Sequence, residues 1–372
     1  MMSNNEKGPI RYAVVGLGHI AQTAVLPGFM HASNAKLAAF VSGDSAKLHE
    51  LGKQYNVQHL IGYDDYEALL KSGEIDAVYI ATPNTLHLPF AEKALLNGIH
   101  VLCEKPFAAK EDECRHLINL AFTNNLKLMI AYRLHFDQAN LTAIELAQSG
   151  KIGDLRIFNS VFSYEMKDSS NIRLKSELAG GAIWDIGIYC INASRYIFQD
   201  EPTEVFAFNS TSDVDERFSE VPEMWTAVLR FPKDRVAAFT CSFGASSSGH
   251  YEVVGTKGSL RLYNAYEYAY PMQMILTIGE KKQKRNFPKR DQFGAEIEYF
   301  SNCILRDVQP EPSGVEGLAD VRIIEALIHS ANLHEAIRIE PIDKRARPNK
   351  DQVIEKPPVK KPRMIHVTSP SN

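Results

Sequence analysis

The sequence lacks the features that define several large classes of protein. Its five cysteines form no C-x-x-C pair, so neither a disulfide framework nor a metal site is expected. No apolar run approaches the roughly 18 residues that a membrane span needs, and the polar start MMSNNEKGPI lacks a secretory signal. With 41 Lys plus Arg against 45 Asp plus Glu, no positive excess favours nucleic acid. We therefore expect a cytoplasmic protein with reduced cysteines and no metal, nucleic-acid or membrane partner.

The first third of the chain has the pattern of alternating strands and helices. The length of 372 residues favours two domains, at about 150 residues each. From residue 10 to 135, short apolar runs alternate with amphipathic stretches, which predicts βαβ units and a parallel sheet. The predicted strands are Ile10–Val15, Leu37–Val41, Ala77–Ala81, His100–Cys103 and Leu128–Ala131.

The pattern changes after residue 150. Between residues 155 and 276, alternating apolar and polar positions predict an antiparallel sheet, and helical periodicity returns at Leu178–Tyr196, Gln292–Leu305 and Glu316–Ala336. We predict an α/β protein with a parallel-sheet domain at 1–150, a second α/β domain with a largely antiparallel open sheet at 151–340, and an extended tail at 341–372. The Pro- and Lys-rich tail is expected to be a solvated, mostly passive arm on the surface, or to lie across a partner subunit.

A glycine-rich turn, Gly16-Leu17-Gly18-His19-Ile20-Ala21, follows the first predicted strand and opens a helix. Gly16 permits the tight turn, Gly18 lets the backbone approach a pyrophosphate, and small Ala21 lets helix and strand pack closely. The N-terminus of the helix offers free N–H groups to phosphates. We predict a dinucleotide site whose contacts include the turn residues Gly16, Leu17, Gly18, His19 and Ile20.

The end of the second strand indicates which dinucleotide binds. An acidic residue there normally holds the ribose 2′-hydroxyl of NAD, whereas this chain has Ser42. Ser42 can hydrogen-bond a 2′-phosphate, and Lys47 can neutralise its charge, so NADP is favoured over NAD. In the alternative interpretation, Asp44 only caps the next helix and Lys47 is solvated.

Two further strands end in polar residues at the same predicted edge. Thr82, Pro83, Asn84 and His87 follow one of them, and we expect Asn84 and His87 to face the nicotinamide ribose, although His87 can equally be a helix-start residue. The next strand ends in Cys103-Glu104-Lys105-Pro106. Because a proline keeps the preceding residue extended, Lys105 is expected to project into the same crevice, beside a reacting hydroxyl.

These motifs, with AYRLHF at Ala131–Phe136 and LAGGAIWDIGIYCINASRYIF at Leu178–Phe198, resemble the Gfo/Idh/MocA oxidoreductases, and within them the glucose–fructose oxidoreductase branch. The resemblance extends from Arg11 to about Ile339. It implies a Rossmann domain followed by an α/β domain whose open sheet often mediates oligomerisation, hence a homo-oligomer, dimer or tetramer. It also implies a sugar or related polyol bound between the domains.

The resemblance also implies roles for individual residues. Lys105, Asp185 and Tyr189 match the positions that surround the substrate; the broad family has histidine where Tyr189 stands, and the branch has a tyrosine that is the proposed acid/base. A phenol with a pKa of about 10 is a weak base, so this role needs a nearby cation, expected to be Lys105. In the alternative interpretation, Tyr189 is a packed core aromatic and Asp185 a local cap. The cofactor contacts implied in addition are Glu104, Lys105, Arg133 and Arg173, of which Arg133 and Arg173 match positions that touch the cofactor or close over it. In the alternative interpretation, Arg173 forms only a surface ion pair.

The sequence therefore predicts an NADP-dependent oxidoreductase that transfers hydride to or from a sugar, either an aldose or a related cyclic polyol. One alternative is an NAD-dependent glycosidase on the same fold, which would use transient oxidation and give no net redox change. Another is a non-catalytic nucleotide-binding sensor.

Overall fold

The computed structural model describes residues 8–212, 214–344, 346–360, 362–367 and 369–370. Its first sheet is parallel, and its strands in chain order are β1 Ile10–Val15, β2 Ala35–Val41, β3 His59–Ile61, β4 Ala77–Ile80, β5 His100–Cys103 and β6 Leu128–Ile130. Their spatial order is β3-β2-β1-β4-β5-β6. This Rossmann order reverses direction between β1 and β4, and ligands bind outside the carboxyl ends of the strands at such a reversal.

The helices of this region are α1 Leu26–Phe29, α2 Ser45–Tyr55, α3 Tyr66–Lys71, α4 His87–Leu96, α5 Glu111–Thr123 and α6 Gln138–Gln148. The helix predicted after the glycine turn begins instead as a π-helical segment, Ala21–Val25, which leads into α1. Pro27 lies in the first turn of α1 and has no N–H to donate, so the regular α-helical ladder is interrupted here.

The second sheet of the described structure has nine strands: β7 Leu155–Ser163, β8 Glu204–Ser210, β9 Met224–Phe231, β10 Arg235–Ser242, β11 Ser248–Gly255, β12 Gly258–Tyr263, β13 Met272–Ile278, β14 Lys281–Phe287 and β15 Ile337–Arg338. Within this sheet only β7 and β10 pair in parallel, and the other neighbouring strands are antiparallel. The spatial order of the nine strands is β14-β13-β12-β11-β7-β10-β9-β8-β15. The predicted fold class, a Rossmann domain plus a largely antiparallel sheet, is confirmed. Sequence patterning misses β14, because its segment KKQKRNF is an exposed edge strand with almost no apolar alternation.

The described residues contain three further α-helices: α7 Ile188–Phe198, α8 Gln292–Leu305 and α9 Gly314–Leu333. Helix α8 returns to the first sheet, where Ser301 hydrogen-bonds Tyr12 at 2.8 Å. Helix α9 packs against both domains, since its Asp320 accepts hydrogen bonds from Tyr132, beside β6, and from the fully buried Arg195 of α7. These contacts join the two domains through α9.

The tail packs on this same chain, which differs from the solvated arm that its composition predicts. Lys344 lies in the buried network of α9, 3.0 Å from Glu311. Gln352 also donates to Glu311, at 3.0 Å, and Ile365 is buried beside the first sheet. Composition does not reveal these partners, because each is distant in sequence. Among the described residues, no helix is long and apolar enough to cross a membrane, and no cluster of metal-ligating side chains occurs.

Candidate active site

The glycine turn lies at the carboxyl end of β1, against the end of β4. Gly16 has φ +91°, and a Cβ on it would lie 2.6 Å from the carbonyl oxygen of Ala81, so this position requires glycine. Apart from Gly18 itself and its neighbours along the chain, no described residue has an atom within 4 Å of the place where a Cβ of Gly18 would be, so the backbone is open to an approaching phosphate. His19 and Ile20, at the end of this turn, are half-buried.

The turn after β2 combines both interpretations of the sequence. Asp44 does cap α2, because its Oδ1 accepts a hydrogen bond from the N–H of Lys47 at 3.0 Å. Ser42 is buried, with its Oγ accepting from the N–H of Asp44 at 3.2 Å. The Nζ atom of Lys47 lies 3.8 Å from Asp44 Oδ2. A hydroxyl and an ammonium therefore stand at the place where a 2′-phosphate would bind.

The turn after β4 contains one group without a partner. The Oγ1 atom of Thr82 is buried and has no hydrogen-bond partner among the described residues. Buried hydroxyls are nearly always hydrogen-bonded, so an orphaned one at the edge of a Rossmann sheet fits a bound dinucleotide. After Pro83, Asn84 donates from Nδ2 to the carbonyl of Ala179 at 2.9 Å and so connects the two domains.

His87 is placed differently from the expected contact with the nicotinamide ribose. It is fully buried, and its ring nitrogens lie 2.8 Å from the carbonyl oxygen of Pro106 and 3.1 Å from that of Thr82. Burial lowers its pKa to about 4, so the ring is neutral. The structure therefore supports the alternative of a helix-start residue, packed between the Thr82 turn and the loop that carries Lys105, with its single ring N–H donating to one of the two carbonyl oxygens.

Lys105 and Asp185 meet in the crevice. The ammonium of Lys105 donates to the carbonyl oxygen of Asp185 at 2.7 Å and to its Oδ1 at 3.1 Å. Asp185 Oδ2 accepts from Arg173 at 3.0 Å and from the hydroxyl of Tyr164 at 3.1 Å. Burial opposes the charge of this carboxylate, but Arg173 and Lys105 outweigh burial and hold its pKa well below the ordinary value.

Tyr189 lies beside Lys105 and Asp185. Together with two arginines these residues form a group that we name the charged cluster: Lys105, Arg133, Arg173, Asp185 and Tyr189. The Nζ atom of Lys105 lies over the phenol ring, 4.9 Å from its centroid, whereas Arg133 donates to the hydroxyl at 3.2 Å. The cation that hydrogen-bonds the phenol oxygen is therefore Arg133, whereas Lys105, the nearby cation that the sequence predicts, lies over the face of the ring. Sequence spacing could not separate the two, because the choice depends on tertiary packing.

Arg133 is held rigidly in this position. It donates to the carbonyl of Tyr266 at 2.6 Å and to the side-chain oxygen of Gln292 on α8. The ring of Tyr268 lies 5.2 Å from its guanidinium carbon. Sequence reasoning missed Gln292, Tyr268 and Tyr164, because each stands in a segment without a motif and reaches the site only through the fold.

Glu104 is half-buried and is linked to the interior. The hydroxyl of Tyr79 lies 2.9 Å from Glu104 and 3.1 Å from Glu296 of α8. Burial raises the pKa of both carboxyl groups, so each of them holds a proton more readily than a free acid does. The structure connects Glu104 to the core behind the strand end, and the predicted cofactor contact of Glu104 remains a prediction.

A Rossmann sheet with a phosphate-binding turn, and a lysine, carboxylate and phenol gathered beside it, defines the class of dinucleotide-dependent oxidoreductases. Family comparison agrees. Residues 10–132 match the model of the Gfo/Idh/MocA oxidoreductase family with its NAD-binding Rossmann fold, and residues 140–261 match a Gfo/Idh/MocA C-terminal domain.

Individual relatives cover nearly the whole chain. A D-xylose 1-dehydrogenase [NADP(+)] of Haloarcula marismortui is 31% identical over 89% of this chain and 94% of its own length. A dTDP-3,4-didehydro-2,6-dideoxy-alpha-D-glucose 3-reductase of Saccharopolyspora spinosa is 29% identical over 88% of this chain and 96% of its own. The crystal structure of an aldose–aldose oxidoreductase from Caulobacter crescentus, complexed with glycerol, superposes with a TM-score of 0.85 at 34% identity and covers 89% of this chain and 100% of that one. The chain belongs to the Gfo/Idh/MocA oxidoreductase family.

Proposed function

We propose that this chain is an NADP-dependent oxidoreductase that transfers hydride to or from a sugar, most simply at the anomeric carbon of an aldose. The observation that carries this proposal is the meeting of Lys105, Asp185 and Tyr189 beside the glycine turn. The relatives that act on aldoses and on sugar nucleotides support the substrate class. The serine and lysine after β2 support the 2′-phosphorylated nucleotide.

The ionisation of Lys105 decides between two assignments of the acid/base. Burial opposes its charge, but the carboxylate of Asp185 outweighs burial and raises the pKa of Lys105 above its ordinary value. Lys105 is therefore an ammonium at neutral pH and acts as a donor rather than a base. Two of its N–H groups are used by Asp185, and the third is available to a substrate oxygen.

Tyr189 is then the group that exchanges a proton with the substrate. During oxidation the Tyr189 oxygen, as a phenolate, takes the proton of the sugar hydroxyl and becomes a neutral phenol; during reduction the phenol gives that proton back. The N–H group of Arg133 at that oxygen stabilises negative charge on it. Bound NADP would supply the acceptor or donor of the hydride. Asp185 keeps Lys105 in position, and Arg173 in turn holds Asp185.

A panel of aldoses and polyols, each mixed with NADP or NAD, tests the proposal. We expect net change in nicotinamide absorbance with at least one aldose and a preference for NADP. Absence of turnover across the panel would count against the proposal. Release of an aglycone from a glycoside without net nicotinamide change would favour the glycosidase instead.

We further propose a homo-oligomer, a dimer or tetramer, that forms through the outer face of the nine-stranded sheet. Neighbouring strands place Ile157, Phe208, Val228 and Val236 on this face, and all four are more than 40% exposed. An apolar patch of this kind fits a second copy of the same sheet. Native mass spectrometry measures the subunit number, and a monomer at micromolar concentration would contradict the assembly.

The five cysteines, all free and buried, fit a reducing compartment such as the cytoplasm.

A further inference from the structure

The C-terminal tail passes beside the proposed dinucleotide site. The N–H of Ile365 donates to Gln22 Oε1 at 2.8 Å, and its carbonyl accepts from Gln22 Nε2 at 2.9 Å. The same nitrogen donates to the carbonyl of Leu17, inside the glycine turn, at 2.9 Å. Gln22 is only 1% exposed and Ile365 only 7%. One buried side chain therefore ties the tail to the turn expected to hold the pyrophosphate.

The next residue reaches the turn after β2. The Nδ1 atom of His366 lies 3.3 Å from Asp44 Oδ2, and its backbone is held in the left-handed region with φ 49°. Asp44 is the residue whose N–H bonds Ser42 and whose side chain lies near Lys47. His366 thus joins, from the far end of the chain, the group of residues that would receive a 2′-phosphate.

The contact between His366 and Asp44 matters because the side chain of Asp44 is charged. The N–H of Lys47, with a smaller contribution from His366, lowers the pKa of Asp44, so that its side chain is a carboxylate at neutral pH. A free carboxylate at the end of the second strand accepts a hydrogen bond from the 2′-hydroxyl of NAD and repels a 2′-phosphate. Here Oδ1 is used by Lys47 N–H and Oδ2 by His366. Each carboxylate oxygen therefore already has one partner within this chain.

We propose that residues 362–367 form the outer wall of the dinucleotide site at its 2′-phosphate end, and that His366 favours NADP over NAD by holding the carboxylate of Asp44. This inference rests on the dinucleotide site of the proposed function. It makes His366 a specificity-determining residue that acts through Asp44.

Calorimetric titration of the full chain with NADP and with NAD tests the inference without depending on turnover. In His366→Ala, the released carboxylate is expected to raise the Kd for NADP about three- to tenfold and to leave the Kd for NAD unchanged or lower. His334→Ala is the matched control, because His334 is also exposed and left-handed, with φ 57°, but lies at the end of α9. It should change neither Kd.

A second pair of variants separates this role from loosening of the tail. In an Asp44→Asn background, which removes the carboxylate but keeps a helix-capping side chain, His366→Ala should no longer change the ratio of the two Kd values. If the ratio still changes there, the tail acts structurally and the inference is wrong. If His366→Ala binds both nucleotides as the wild type does, the inference fails while the proposed function stands. Wild-type protein that binds neither nucleotide would overturn both.

Discussion

The cofactor edge, formed by the turns after β1, β2 and β4, and the charged cluster beside it are built in different ways. At the edge, the shape of the glycine turn and the start of α2 depend on backbone geometry and on contacts close in sequence, as where Asp44 caps α2 three residues on, at Lys47; the contacts of Asn84 with Ala179 and of the tail with Gln22 and Asp44 are the long-range exceptions. In the cluster, side chains pair across the fold: Lys105 and Asp185 are 80 positions apart, and Arg133 and Tyr189 are 56 apart. The edge therefore depends on backbone shape and the cluster on paired charges.

This difference predicts that one hydroxyl in the cluster governs chemistry but not cofactor binding. Removing the proton-transferring oxygen in Tyr189→Phe should lower kcat about 10²- to 10⁴-fold, because general acid–base catalysis is lost. The Kd for NADP should stay within about twofold of the wild type, which corresponds to a change of less than about 0.4 kcal/mol in the binding free energy of NADP. Steady-state kinetics and calorimetry measure the two quantities.

Tyr266→Phe is the matched control for that variant. The ring of Tyr266 lies 6.0 Å from that of Tyr189, but its hydroxyl bonds Ser160, at 2.6 Å, away from the charged cluster. We expect lower stability and nearly normal kcat. If Tyr189→Phe turns over as fast as the wild type, Tyr189 is not the acid/base.

A backbone change at the edge should have the opposite profile. In Gly16→Ala, the new methyl group clashes with the carbonyl of Ala81, and the alanine has to adopt φ +91°, which is unfavourable for a residue with a side chain. We therefore expect a loss of about 1–3 kcal/mol in the free energy of unfolding. The displaced turn should also raise the Kd for NADP about tenfold or more, a shift of about 1.4 kcal/mol. Urea denaturation and calorimetry measure these effects.

Gly62→Ala provides its control, because Gly62 has φ −71° and open space around its Cα. This substitution should leave the Kd for NADP unchanged. Normal NADP binding by Gly16→Ala would separate the glycine turn from the cofactor.

The smallest predicted effect concerns the pH dependence of the charged cluster. The pKa of Asp185 lies well below its value of about 3.9 in an unfolded chain, so its ionisation stabilises the fold above about pH 4, and this contribution is lost as the pH falls. Asp185→Asn should therefore be less stable than the wild type at pH 7, by about 1–3 kcal/mol, and the difference should shrink in acid. Urea denaturation at a series of pH values measures it.

Asp154→Asn serves as the reference, since that carboxylate is 83% exposed in its side chain. Its difference from the wild type should be small at every pH. If the Asp185 difference stays constant between pH 7 and pH 3, the ion pairs do not contribute as described.

The same contrast explains what the sequence can predict. Strand β1, helix α2 and the glycine turn follow from local patterns of apolar residues, caps and glycines, and the structure places them at or near the predicted positions. Asp185 and Tyr189 stand at i and i+4, which places both on one helical face. That Lys105 joins them in one site follows from the family resemblance, because no spacing connects residue 105 with residues 185–189.

The remaining features depend on tertiary contacts that leave no local signal. His87 stands beside a binding turn in the sequence, yet both of its nitrogens face carbonyl groups in the interior. Arg133 reaches the phenol oxygen of Tyr189 because α8 and the segment around Tyr266 hold it there. The tail has an arm-like composition, and only the fold reveals the partners of Ile365.

Direct transfer of hydride between sugar and nucleotide is measured most clearly in a single turnover with an aldose deuterated at the anomeric carbon. The proposed function predicts that deuterium appears in the reduced NADP and that the transfer is slower than with the unlabelled sugar. Deuterium that remains in the sugar, or is lost to water without reduced nucleotide, would contradict it.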